Sequence, residues 1–255
     1  MTALRFAFLG SGSRGNALLV EAGSARILVD CGFSAREIGR RMAVLDRDPA
    51  QLDAVLLTHE HADHASGAGR LARKYQLPVF ATHGTRAAVD DEDGVEWQLI
   101  SAHRSFSFGP LTIQPVAVPH DAREPVQFVF EQGHGRLGLL TDLGHVTPHV
   151  LRSYAGCQML VLEANHDPAM LAAGPYPPSL KQRVGGPFGH LSNGQSAAFL
   201  QAGDTEGLEC LVAAHISEKN NAFDLARQTL ADSLGWAQDH IEVAEQERPS
   251  DWYEF

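Results

Sequence analysis

Within the stretch Thr58-His59-Glu60-His61-Ala62-Asp63-His64 the chain places three imidazoles and a carboxylate at ligand spacing. Neutral imidazole nitrogens and carboxylate oxygens suit zinc, manganese or iron, and H-x-H-x-D-H offers two pairs of donors pointing in different directions, enough to seed two cations. The competing reading, a polar surface loop rich in histidine by chance, leaves the number of ligand-type side chains unexplained. A zincin H-E-x-x-H is excluded, because the position four after His59 is Asp63, so Glu60 is not the general base of that motif.

The elements around this cluster must position it. Residues 52–57 read as a short buried strand and 65–75 as a helix with apolar and small residues on one side, which puts the cluster in a strand-to-helix loop. Upstream, 4–9, 17–21 and 26–30 alternate and are separated by glycine-rich turns, the start of a β-meander. The first turn, Gly10-Ser11-Gly12-Ser13-Arg14-Gly15, matches G-x-G-x-x-G, but another strand and the hairpin turn Ala22-Gly23-Ser24 follow it. A dinucleotide fingerprint needs a helix there, so the expectation is a tight, phosphate-facing loop instead. Ser34, with Glu37 at capping-box spacing, opens a helix over 34–45 whose stripe is Ile38, Met42 and Leu45.

Downstream, strands are expected over 78–81, 96–100 and 105–108, and a short helix over 85–89. Further strands run into ligand-type residues. The strand 111–118 leads to Pro119-His120-Asp121, and 136–140, hairpinned to 127–131, leads to Thr141-Asp142. In the same way 159–162 leads to Glu163-Ala164-Asn165-His166-Asp167 and 210–214 leads to His215, so the chemistry collects at one edge. Between Asp167 and Leu208 the chain is rich in glycine and proline, with one helix expected over 195–202 capped around Ser192 or Asn193. This stretch, 168–208, reads as an insertion over the site. A helix over 222–234, a closing strand over 241–244 and a polar tail over 245–255 complete the chain.

At 255 residues and 44% apolar content the chain can bury one good core, and a single domain over 1–255 is expected. No apolar run reaches transmembrane length and the N-terminus enters a strand without a signal-peptide pattern, so a soluble cytoplasmic protein with no membrane partner is expected. Cys31, Cys157 and Cys210 are odd in number and far apart, which denies a disulfide framework or a C-x-x-C site and leaves buried free thiols. The formal charge of −11 argues against a broad nucleic-acid footprint, although bound cations or a local groove can still accept phosphates.

The set His59, His61, Asp63, His64, His120, Asp142 and His215 resembles that of the metallo-β-lactamase fold superfamily, over nearly the whole chain. The resemblance implies an α/β (α+β) fold, a four-layer αββα sandwich of two mixed sheets with a binuclear site at one edge. It implies that His59, His61 and His120 bind one metal, that Asp63, His64 and His215 bind the other, and that Asp142 bridges them. The stretches Gly10 to Asn16, Asp30-Cys31-Gly32, His120-Asp121-Ala122, Glu163 to Asp167, Gly189 to Asn193 and His215 to Asn221 resemble the YycJ (WalJ) type proteins. That group is linked with 5′-exonuclease-like action on DNA and is similar to the cyclic phosphodiesterases of the PhnP type. Pro119, Gln127 and His145 depart from the pattern and bear on the substrate, not on the metals. No long helical insertion separates Asp142 from His215, so the large RNA-processing nucleases are poor models. Asp142 also disfavours a strict β-lactamase.

By the same resemblance His190 is a candidate catalytic residue beside Asp142, protonating a leaving oxygen or binding phosphate oxygens; a loop residue ahead of a helix cap is the plainer role. His166 and Asp167 suit either ligand orientation or a turn. Ser192 and Asn193 suit either a cap or a phosphate contact. Arg14, Lys181, Arg183 and Lys219 are the phosphate-contact candidates. The leading expectation is a binuclear metal-dependent hydrolase, a phosphodiesterase with a phosphodiester substrate and DNA as the candidate polymer. It would use two divalent ions, zinc or manganese with iron also fitting, roughly 3.5–4 Å apart, and a hydroxide attacking phosphorus in line. The alternatives are a thioester, lactone or β-lactam hydrolase on the same residues, and a metal-stabilised binding module without turnover.

Overall fold

The apolar runs become strands and the 3.6-residue patterns become helices. In the structure, a computed structural model describing residues 4–89 and 93–254, the strands are β1 (Arg5–Gly10), β2 (Ala17–Ala22), β3 (Ala25–Val29), β4 (Ala54–Leu56), β5 (Val79–Ala81), β6 (Trp97–Leu99) and β7 (Phe106–Phe108). They continue with β8 (Leu111–Ala117), β9 (Val126–Gln132), β10 (Gly135–Leu140), β11 (Met159–Glu163), β12 (Cys210–Ala214), β13 (Ile241–Val243) and β14 (Tyr253–Glu254). The helices are α1 (Ala35–Val44), α2 (Ala62–Ala65), α3 (Ala68–Tyr75), α4 (His83–Arg86), α5 (Pro148–Ser153), α6 (Pro168–Ala173), α7 (Pro178–Val184), α8 (Asn193–Ala202) and α9 (Phe223–Leu234). The strands make two mixed sheets, with helices flanking them. Among the described residues no helix is long and apolar enough to cross a membrane.

The chain divides into two compact units. The first comprises Met1–Ala117, Ala122–Gly135 and Glu245–Phe255, and the second Val118–Asp121 and Arg136–Ala244. The first unit carries a sheet in the order β14-β1-β2-β3-β4-β5-β6, antiparallel from β14 to β3 and parallel from β3 to β6. It also carries the antiparallel run β7-β8-β9. Its helix α1 starts where expected, Ser34 Oγ accepting from the Glu37 amide at 3.2 Å, and it buries Ile38 and Met42 in the core cluster that also holds Leu19, Leu28 and Leu71. The Glu37 carboxylate does not complete a capping box. It is drawn to the guanidinium groups of Arg40 and Arg41, at 2.6 Å each, because a charged partner on the same helix face outbids a backbone amide.

Three expectations in this unit need correction. The helix expected over 65–75 is two, α2 and α3, interrupted at Gly67, where a Cβ would lie 1.9 Å from the Phe33 carbonyl oxygen; the chain there must let strand β3's exit loop pass, so the break follows the close approach. The short helix expected over 85–89 starts earlier, as α4, because Thr82 caps it through the Thr85 amide. The tail is more than polar: β14 pairs with β1, Tyr253 stacks on Phe6 at 4.9 Å, and Arg5 lies 4.3 Å over the Trp252 ring.

The second unit carries β10, β11, β12 and β13, all parallel in sequence order, with α8 and α9 packed on them. Parallel strands need crossovers, and the long connection from β11 to β12 supplies α6, α7 and α8. Only α8 was expected there. The others, α6 and α7, start with Pro168 and Pro178, each at the one helical position where the missing amide costs nothing, so proline that reads as a breaker is here a starter.

Glu21 on β2 is nearly fully buried and takes three guanidinium groups: Arg5 at 2.5 Å, Arg47 at 2.6 Å and Arg26 at 3.1 Å. Burial pushes its carboxyl up, but Arg47 and Arg5 outweigh that and hold it below its ordinary value of 4.5. A group with a depressed folded pKa contributes stability that is complete above its unfolded value and is lost as pH falls through the folded one. Glu21→Gln should therefore cost about 3 kcal/mol at pH 7, by stranding the arginines. Urea midpoints measured from pH 7 down to 3 should fall less steeply below 4.5 in the variant than in wild type, and parallel curves would refute the assignment.

Candidate metal centre

In the first unit the ligand-type cluster begins where β4 ends. Leu57 closes the parallel ladder through Phe80, and Thr58 then turns the chain out. Two backbone pairs fix the following turn: the Asn16 amide donates to Asp63 O at 2.7 Å and the Cys31 amide to His64 O at 2.6 Å. Gly32 permits this approach, since a Cβ there would sit 1.8 Å from the Asp63 carbonyl oxygen. Asp63 and His64 thus lie in α2, a single helical turn, and not in an open loop.

The side chains are oriented by one buried carboxylate that the sequence reading left without a role. Asp30, immediately after β3, accepts from the Thr58 amide at 2.9 Å, from the Thr58 hydroxyl at 2.9 Å and from His64 Nδ1 at 2.8 Å. Because Thr58 gives its proton to Asp30, its oxygen accepts from His59 Nδ1, 2.9 Å away. Both imidazoles are thereby protonated at Nδ1 and keep the Nε2 electron pair for a cation. His59 Nε2 and His61 Nδ1 converge to 3.0 Å. Burial raises the Asp30 carboxyl, against lowering by His64 and Thr58.

The glycine turn before β2 serves this cluster in an unexpected way. A phosphate-facing loop would turn its amides outward, but those of Ser11, Gly12, Arg14, Gly15 and Asn16 are all satisfied within the unit. Asn16 instead spans the turn, its Oδ1 accepting from the Gly12 amide at 2.8 Å and its Nδ2 lying 3.1 Å from His64 Nε2 and 3.4 Å from Asp63 Oδ2. Arg14, a phosphate candidate, pairs with Glu247.

In the second unit the organising group is Glu163, the last residue of β11 and fully buried. Its Oε1 accepts from His190 Nδ1 at 2.8 Å, His215 Nδ1 at 3.1 Å and the Asp142 amide at 3.1 Å, and its Oε2 from the Leu191 amide at 2.8 Å. Burial would raise this carboxyl, yet His190 and His215 hold it down to about 2. Asp142 Oδ1 lies 3.0 Å from His215 Nδ1. His120 donates from Nδ1 to the Gly189 carbonyl at 3.0 Å, and its ring stands 5.3 Å from that of His190. Asp142, Glu163, His190 and His215 offer donor atoms within 4.8 Å of one another.

The structure therefore gathers His59, His61, Asp63 and His64 in one unit, and His120, Asp142, His190 and His215 in the other. The donor set fits divalent cations, since the imidazoles of His59, His64, His120 and His215 each have Nδ1 fixed by an oxygen and Nε2 as the electron-pair donor. Ser192 and Asn193 take the plainer role: Ser192 forms a capping box with Gln195, and Asn193 pairs its amide with that of Asn221. Asp167 caps α6 through the Met170 amide, and His166 is buried beside it, burial lowering its pKa. Among the cationic candidates, Arg183 pairs with Asp121 at 2.5 Å and Lys181 donates to Ala172 O. Asp30 and Glu163 were missed as orienting groups because a carboxylate at a strand end looks the same in sequence whether it binds a metal or a histidine. The signal was the strand-end position itself, shared with Asp142 and His215.

The chain belongs to the β-lactamase superfamily, whose domain model matches residues 25–216. Two relatives lie close over nearly full length. The exodeoxyribonuclease WalJ of Streptococcus pneumoniae serotype 2 is 33% identical over 239 residues, covering 91% of this chain and 89% of that protein. The exodeoxyribonuclease YycJ of Bacillus anthracis is 34% identical over 235 residues, with the same 91% and 89% coverage. Among solved structures, the metallo-β-lactamase fold protein YhfI of Bacillus subtilis superposes with a TM-score of 0.75 at 16% identity, covering 99% of this chain and 100% of that one. A diphosphatase of the PhnP family superposes at 0.71 and 17% identity, covering 100% and 99%. The fold implied by the sequence is the fold found.

Glu163→Gln tests the orienting role. An amide keeps the shape but cannot accept from both imidazoles and the backbone at once, so zinc affinity, measured by competition with a chromophoric chelator, should fall about 10- to 100-fold. Circular dichroism should report an unchanged secondary structure. Affinity equal to wild type would remove Glu163 from the centre.

Proposed function

We propose that the protein is a metal-dependent phosphodiesterase acting on nucleic acid, with DNA as its polymer. The observation that supports this most directly is the set of imidazoles locked at Nδ1 by Asp30, Thr58, Glu163 and Gly189, next to Asp63 and Asp142, which is a donor set for hard or borderline divalent ions. The exodeoxyribonuclease relatives, similar over nine-tenths of the chain, supply the substrate class.

By the resemblance, His59, His61 and His120 would hold one cation, Asp63, His64 and His215 a second, and Asp142 would be shared between them. Divalent ions such as zinc or manganese would supply charge neutralisation at the phosphate and acidify a water. The chain's own residues do the rest. Asp30 and Glu163 keep the rings in one orientation, so that little reorganisation is needed when charge builds at phosphorus. His190, held through Nδ1 by Glu163, presents Nε2 to carry the proton that a departing alkoxide needs.

Two variants check this. Asp142→Ala should abolish turnover of a generic phosphodiester in metal-supplemented assays while the thermal unfolding curve stays cooperative; retained turnover would refute bridging. Running wild type on thioesters and lactones alongside discriminates the other hydrolase reading. His190→Ala should keep its metal content by elemental analysis and lose roughly 10²–10⁴-fold on DNA, yet much less on a nitrophenyl phosphodiester, whose leaving group departs without a proton. Equal losses on both substrates would make His190 a phosphate-binding residue, and no loss on either would leave it structural.

A further inference from the structure

One aromatic ring beside the proposed centre is exposed where its surroundings are rigid. Phe188 keeps 56% of its surface in water, two residues before His190. A single exposed phenylalanine is ordinary on a protein surface. This one differs in how its backbone is held. The Asp121 amide donates to Phe188 O at 3.0 Å, the His145 ring to Pro187 O at 2.8 Å, His120 Nδ1 to Gly189 O at 3.0 Å, and the His190 amide to Val184 O at 2.8 Å. Glycine is required at both ends of the fit: a Cβ on Gly144 would lie 2.3 Å from the Pro187 carbonyl, and one on Gly189 2.1 Å from Arg183 O.

The loops that carry His120 and Asp142 thus clamp the segment that carries Phe188. The His145 and Phe188 rings meet in a T-shaped contact, centroids 6.4 Å apart and planes at 77°, which supports the phenyl ring while more than half of its surface stays in water. Two residues of backbone span at most about 7 Å, so Phe188 and His190 sit on one short segment, which His120 and Asp121 hold through Gly189 O and Phe188 O. A flat, rigid, uncharged π-face beside a phosphate-handling group is what a nucleobase recognises by stacking, and the fit is indifferent to which base is offered.

We propose that Phe188, buttressed by His145, is the stacking platform for the terminal nucleobase of the substrate strand, so that the site takes base-bearing ends in preference to small phosphodiesters. This rests on the phosphodiesterase reading above. The test uses two manganese-supplemented oligodeoxynucleotide substrates that differ only in whether the terminal nucleotide carries its base or is abasic. Wild type should show a higher kcat/KM on the base-bearing strand. In Phe188→Ala and Phe188→Leu that ratio should shrink by roughly 5- to 150-fold, through KM, while Phe188→Trp retains it. Binding of the same oligonucleotides carrying a non-hydrolysable terminal linkage, in manganese, gives a second readout by fluorescence anisotropy. An unchanged ratio in Phe188→Ala, with turnover intact, overturns the platform and leaves the phosphodiesterase standing. Base-dependent binding that Phe188→Ala removes, without any wild-type turnover, sustains the platform and overturns the phosphodiesterase. Absence of base-dependent binding and turnover in wild type overturns both.

Discussion

Each half of the ligand set depends on a buried carboxylate that, among the described residues, has no arginine or lysine to neutralise it. Asp30 and Glu163 are nearly or wholly inaccessible, and their partners are imidazoles, a hydroxyl and backbone amides. Burying an anion this way is costly unless every oxygen is satisfied and positive charge arrives from somewhere. The arrangement passes the requirement on to the histidines, which can meet it as hydrogen-bond donors while keeping an electron pair for a cation. Metal affinity and fold stability are then linked, since the cations relieve a charge imbalance that the folded chain creates.

The same economy appears in the backbone. Asp30, Asp142 and His215 all adopt left-handed φ values, at 60°, 53° and 54°, and each directly follows a strand or lies within two residues of its end. For residues with a Cβ this conformation costs about 1–2 kcal/mol each. What it achieves is a sharp exit: the side chain that would alternate onto a sheet face is turned instead along the strand direction, toward the edge. Asp46 and Gln76 adopt the same conformation just after α1 and α3, where it ends a helix; at Asp30, Asp142 and His215 no helix ends, and strain there is the pattern expected where geometry is held for chemistry.

Much of this was legible in the sequence. The spacing of His59, His61, Asp63 and His64 announces a metal site because no other common use of those side chains needs that spacing, and the apolar runs ending at His120, Asp142 and His215 could be read as strands that deliver ligands. What was not legible depends on close contact between segments distant in sequence. Gly67 breaks a helix because of a carbonyl at Phe33, Pro168 and Pro178 start helices because the chain has just turned, and the Gly10 to Asn16 turn closes its amides on Asp63 and Gln246. Glu163 is the sharpest case. Its type and its place after an apolar run were visible, but its function is to hold two rings that lie 27 and 52 residues further along the chain.

The acidic balance of the chain bears on what the centre can accept. With a formal charge of −11, with Asp63 beside His64 in one unit and Asp142 and Glu163 beside His190 and His215 in the other, the metal-free protein would repel a polyanion at the residues proposed to cleave it. Each divalent cation bound there would add two positive charges at short range, where screening by salt is weakest, and would offset the carboxylates at the place where a phosphate has to approach. A distributed basic surface would bind nucleic acid anywhere along its length. A centre whose attraction came mostly from its own cations would draw phosphate only to the place where it can react, which reconciles an acidic chain with a phosphodiester substrate.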